Sequence, residues 1–164
     1  MCHYQTMFGF KRPQRIYLDY AAATPVRPEV MVAMQPFFSV EFANPSAIHS
    51  EGVNARSTVE AARLKVARTL EMRTEDVFFT ASGTESNNLA IAGVIEAQVA
   101  RGRVLHELQV VTTGIEHPSV TEVLRHYAEN GLKVSEVSVG EDGVVDLKDL
   151  KNKLTPETCL VTFA

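Results

Sequence analysis

The chain has 164 residues, 45% hydrophobic and 22% charged, with 16 basic side chains against 20 acidic ones and a net charge of −4. A chain of that length and composition builds a buried core without a disulfide or metal staple, which excludes a disordered tail or a collagen-like fibre. Its apolar runs, such as 77–79 and 160–164, fall far short of the roughly 20 residues a membrane span requires, and its acidic balance argues against nucleic acid as the main partner.

Residues 1–15 carry Lys11, Arg12 and Arg15 and no acid, and read as an N-terminal arm. The arm lacks the continuous apolar stretch of a secretory signal, and an organellar presequence is the alternative. Cys2 and Cys159 are the only cysteines, so no disulfide framework is expected and a reducing, cytoplasmic compartment fits. Residues 16–20 (Ile-Tyr-Leu-Asp-Tyr) alternate like a short strand, and 21–27 form a loop. Pro28 and Glu29 suit a first helical turn, and Pro36 limits that helix to about Met34. Residues 36–51 are a loop containing Asn44-Pro45-Ser46. Val59, Ala62, Val66 and Leu70 recur at spacings of three and four, predicting an amphipathic helix from Gly52 to Leu70.

Beyond it the pattern becomes regular. Strands are predicted at 77–80, 108–113, 132–139 and 158–163. Helices are predicted at 84–100, stopped by Gly102, at 118–130, closed by Gly131, and from the cap Asp146 to about Leu154. This alternation predicts an α/β fold: a mostly parallel sheet with helices on both faces. The expected organisation is the arm (1–15), an N-terminal helix and loop segment (16–51), and part of an α/β domain (52–164). The sequence stops in the apolar run 159–164 with no edge-blunting charge after it. It reads as a piece of a longer protein; the alternative is a strand lying inside the sheet order.

Three loops carry candidate chemistry. The first is Ala81-Ser82-Gly83-Thr84-Glu85-Ser86-Asn87-Asn88, between a strand and a helix. Free N–H groups and the positive end of the dipole lie at a helix start, Gly83 lets an anion approach the backbone, and the Thr84 and Ser86 hydroxyls add donors. The alternative is an ordinary cap. The second is Gly114-Ile115-Glu116-His117-Pro118. In a parallel sheet the loops after the strands share one edge, so His117 and Gly83 should lie together, with an imidazole placed to stack on an aromatic ligand or move a proton. The alternative is a histidine that only caps a helix. The third, Asn44-Pro45-Ser46-Ala47-Ile48-His49, either positions ligand groups or merely connects. No His/Cys/Asp/Glu cluster has metal-ligand spacing.

Taken together, Ile16 to Val26, Asn44 to His49 with Gly52, Phe79 to Asn88, and Glu116 to Val120 resemble the cysteine desulfurases, a branch of the class V aminotransferase-like enzymes that use pyridoxal 5'-phosphate. The resemblance covers residues 16 to 164. It implies the partial large domain of a pyridoxal phosphate-dependent transferase of fold type I. It further implies that Gly83 and Thr84 bind the cofactor phosphate, and that His117 stacks on the pyridine ring and assists proton transfer. By the same resemblance the reaction takes sulfur from L-cysteine, leaves alanine, and holds the sulfur as an enzyme persulfide for iron–sulfur cluster or tRNA sulfur supply. A homodimer and a sulfur-acceptor or iron–sulfur scaffold protein are implied as partners. The family's cofactor-binding lysine, nucleophilic cysteine and substrate-carboxylate arginine come later in the chain, so these 164 residues are expected to be inactive alone. Cys159, in a strand, is not expected to be that nucleophile. The alternatives are another class V enzyme, such as a selenocysteine lyase or an aminotransferase, and a non-catalytic fragment that only folds or binds a partner.

Overall fold

The computed structural model describes residues 16–163; the N-terminal arm, with Cys2, His3 and Lys11, lies outside the described residues. The chain divides between Val77 and Phe78 into two compact units.

In the first unit, helix α1 spans Pro28–Met34, with Pro28 at its first turn where no N–H is needed. A single 3-10 turn, Gln35–Phe38, takes over at Pro36, which ends the α-helix as expected. Helix α2 spans Ser50–Thr69. It buries only Gly52 and Ala67, and the predicted apolar stripe stays largely open, with Val66 and Leu70 exposed. Residues 16–20 are not a strand: the segment is exposed and closes in a turn, with the Ala22 N–H donating to the Asp19 carbonyl at 3.2 Å. Alternation over five residues reports which side chains share a face, not whether a partner strand exists.

The second unit holds the sheet. Strands β1 (Gln109–Thr113), β2 (Lys133–Val137) and β3 (Thr158–Val161) pair in the order β2-β1-β3, all parallel. β1 is buried at every position, so both its faces are covered, as a central parallel strand requires. Among the described residues β3 is an edge strand of this sheet. Residues 77–80 lie outside the sheet, and Phe78 and Phe79 are exposed, contrary to the expected buried strand. A four-residue apolar run fits several environments equally well.

Helices α3 (Gly83–Ala100), α4 (Pro118–Glu129) and α5 (Leu147–Lys153) complete the unit. Ile91 and Ile95 of α3, one turn apart, meet Val120, Val123 and Leu124 of α4 over Val110 of β1, with Leu108 and Leu132 closing the cluster. Each such side chain contributes about 1.5–3 kcal/mol by leaving water. Asp146 caps α5 through the Lys148 and Asp149 N–H groups. The Asp149 carboxylate accepts from the Ser138 N–H at 2.8 Å and pairs with Lys153, which hold it down at about 2, the backbone hydrogen bond being the larger cause. Among the described residues no helix is long and apolar enough to cross a membrane.

Candidate functional site

Ser82 stands at the N-cap of α3 in extended conformation, and its hydroxyl accepts from the Glu85 N–H at 3.2 Å. The Glu85 carboxylate turns back to accept from the Ala81 N–H at 2.6 Å. This is a capping box displaced by one residue, and it draws two backbone donors into the loop itself. The Thr80 hydroxyl donates to the Ser82 carbonyl and lies 2.6 Å from the Ser86 hydroxyl, so Ser86 is engaged in bracing the turn. The N–H groups of Gly83 and Thr84, the first two helical positions, and the Thr84 hydroxyl make no hydrogen bond among the described residues. Gly83 is open: a Cβ built there meets nothing within 4 Å. Two free amides, a free hydroxyl and unfilled space at the positive end of an 18-residue helix suit an anion such as a phosphate.

The second loop is braced from the strand side. Buried Thr113, the last residue of β1, donates its hydroxyl proton to the Glu116 carboxyl at 2.5 Å. His117 then caps α4: its Nδ1 accepts from the Ser119 N–H at 3.0 Å and lies 2.8 Å from the Ser119 hydroxyl. The ring itself is exposed.

Side chains join the two helix starts. Asn87 of α3 donates to the Ser119 hydroxyl at 2.8 Å. Asn88 donates to the Ser119 carbonyl at 3.4 Å and to the Thr84 carbonyl at 2.8 Å. Further along, the Tyr127 hydroxyl donates to Glu96 at 2.8 Å; burial first and this carboxylate second push the phenol up to about 12. Helices α3 and α4 therefore begin together, and Gly83, Thr84 and His117 emerge at one edge of the sheet. The roles of Asn87, Asn88 and Ser119 escape a reading of the sequence, although all three stand inside the motifs that drew attention to the loops. The available signal is a polar side chain a turn inside α3, at Asn87 and Asn88, and a small polar residue at the second position of α4, at Ser119.

The family follows from a match to the whole described chain: the aminotransferase class-V model aligns with residues 16–164. The chain belongs to the aminotransferase class-V family. A curated relative, the mitosomal cysteine desulfurase of Trachipleistophora hominis, is 39% identical over 154 residues, covering 93% of this chain and 34% of its own length. Among solved structures, a NifS-like protein superposes with a TM-score of 0.83 at 34% identity, covering 91% of this chain and 40% of that one. The protein SspA, solved in complex with cysteine, superposes with a TM-score of 0.80 at 33% identity, covering 90% and 41%. The chain thus spans about a third of the length of its curated relatives. This class V family is one of pyridoxal phosphate enzymes, and the α/β fold of the chain is a partial domain of it.

Other reactive groups stand on other elements. Lys65 is on α2, Lys133 opens β2, and Lys148, Lys151 and Lys153 are on α5. Cys159 is half-buried in β3, and burial pushes its thiol above the ordinary range, which keeps it protonated. In the first unit, Asn44 accepts from the Ser46 N–H, Arg56 donates to the Pro45 and Ala47 carbonyls, and His49 caps α2. That loop spends its polar groups on holding itself to α2.

Proposed function

We propose that this chain supplies the phosphate- and ring-binding portion of a pyridoxal phosphate-dependent cysteine desulfurase. The supporting observation is the joined pair of helix starts, with free donors at Gly83 and Thr84 beside an exposed imidazole at His117. The Gly83 and Thr84 N–H groups and the Thr84 hydroxyl would hold the cofactor phosphate against the positive end of α3. The His117 ring would cover the pyridine and hold or move a proton. When bound, pyridoxal phosphate supplies the electron sink that labilises bonds around the α-carbon of an amino acid.

The substrate in this reading is L-cysteine, which a structural neighbour holds in its solved complex. Alanine is the product, and the sulfur leaves as an enzyme persulfide for iron–sulfur cluster assembly or tRNA sulfur supply. The working enzyme is a homodimer that hands sulfur to an acceptor or scaffold protein. Its compartment is cytoplasmic, with an organelle as the alternative suggested by the mitosomal relative. The 164 residues alone are inactive, because the described lysines stand on α2, β2 and α5 and Cys159 is a protonated strand thiol.

The test is a titration with pyridoxal phosphate, followed through the Gly83 and Thr84 amide signals. Both signals move on saturation, and Thr84→Val weakens binding by about 1.5–3 kcal/mol, the worth of one hydrogen bond to a charged group. Unmoved amides at saturating cofactor would remove the site, and robust alanine release from cysteine by the chain alone would overturn its proposed inactivity.

A further inference from the structure

We infer that Ser119, oriented by Asn87 from the neighbouring helix, positions the His117 ring and fixes Nε2 as the atom that carries its proton toward a ligand. The inference deepens the cofactor reading above and rests on it for what the ring faces. A serine hydroxyl has one proton to give and two lone pairs to receive with, whereas an amide nitrogen such as Asn87 Nδ2 only donates. At 2.8 Å from Asn87 Nδ2, the Ser119 oxygen is an acceptor, and its proton is left for another partner. His117 Nδ1 lies 2.8 Å from the same oxygen. The Ser119 N–H reaches the same nitrogen at 3.0 Å.

Two donors thus converge on Nδ1, which must be the unprotonated nitrogen of a neutral ring; the proton then sits on Nε2. Nε2 makes no hydrogen bond among the described residues, and the ring is exposed. Capping α4 needs only the backbone N–H of Ser119. The hydroxyl and Asn87 add what a cap does not require: a second restraint on the ring, tied to α3, whose first turn carries Gly83 and Thr84. Ser119 is itself buried, so water does not compete for its hydroxyl. Ser119 and Asn87 are positioning residues; they act through His117.

The test is the pair of imidazole nitrogen signals of His117 in the nitrogen-labelled 164-residue chain, read at mildly alkaline pH. The expected spectrum is a single tautomer, Nδ1 unprotonated and Nε2 protonated. In Ser119→Ala both signals move toward the average of two tautomers, and the Asn87 side-chain amide exchanges about five- to tenfold faster. Ser119→Thr retains the hydroxyl and restores the native pattern. Asn87→Leu moves the His117 signals in the same direction by less. A purely capping role predicts no change in Ser119→Ala, because the backbone N–H persists, and that result overturns the inference. A native spectrum with the proton on Nδ1 overturns it without any variant, so loss of folding in a mutant leaves the test intact. Thr84→Val separates the two readings: it weakens cofactor binding and leaves the His117 tautomer untouched. A fixed tautomer in a chain that fails to bind pyridoxal phosphate would sink the cofactor reading and support the positioning role.

Discussion

Two helices of this chain begin with a histidine cap, and the two caps are built for different purposes. At α2, His49 Nδ1 accepts from the Gly52 N–H at 3.3 Å and lies 2.9 Å from the Glu51 carboxylate, all within one turn. The Glu51 carboxyl is held below its usual range, chiefly by its own backbone N–H and then by Ser50 and His49. At α4, His117 Nδ1 meets only donors, both on Ser119, and Ser119 is tied to a second helix. The first cap is self-contained. The second fixes a ring relative to a neighbouring helix start with free amides. A histidine cap becomes a candidate functional group when its restraint comes from another element and its second nitrogen is left for solvent.

The glycines sharpen the contrast. Gly52 is closed in: a Cβ there meets the Ala47 carbonyl oxygen at 2.6 Å and the Ala47 Cβ at 2.7 Å, both fixed by the Arg56 hydrogen bond to that loop. Gly52→Ala gains up to about 1 kcal/mol of helix propensity but forces the loop outward, at a cost of about 1–3 kcal/mol from overpacking. The expected outcome is net destabilisation in thermal unfolding, the largest effect among the helix starts. An unchanged or raised midpoint would show that the loop yields freely. Adding Ala47→Gly should recover only part of the loss, since the carbonyl clash remains.

Ser82→Ala comes next in size. It removes the hydroxyl that accepts from the Glu85 N–H, and the loss of such a cap costs about 1 kcal/mol. The freed N–H adds a third unpartnered donor at the α3 start, so phosphate binding should hold or strengthen while the melting midpoint falls. A parallel loss of both would mean that the cap, through loop order, carries the anion site.

The pattern of what was legible follows from locality. Pro28, Pro36, Gly131 and Asp146 act on their own turns, so the limits of α1, α4 and α5 emerge from the sequence within a residue or two. The three strands of the sheet are likewise legible, because each carries β-branched residues between turn or helix-stop residues. Residues 16–20 and 77–80 carry the same local pattern and are not strands, because pairing depends on distant chain that a short run does not encode. The two loops of the candidate site were visible from their Gly, Thr and His residues. The link between them was not: Asn87 and Ser119 are 32 residues apart, and only the packing of α3 on α4 turns them toward each other.

The smallest effect is the most discriminating, because it repeats the Gly52 substitution with the opposite sign. Gly83 is the first residue of α3, and a Cβ there meets nothing within 4 Å. Its backbone lies outside the positive-φ region, so alanine fits without strain. Gly83→Ala should therefore leave stability unchanged or raise it by about 0.4–1 kcal/mol, through the reduced freedom of the unfolded chain. The N–H stays in place but the Cβ enters the space an anion would use, so pyridoxal phosphate affinity should fall while the melting midpoint holds or rises. A melting midpoint lowered as far as in Gly52→Ala would show that the space over the α3 start is filled in solution. The two helix starts would then be alike, and the case for one of them as an anion site would lose its steric ground.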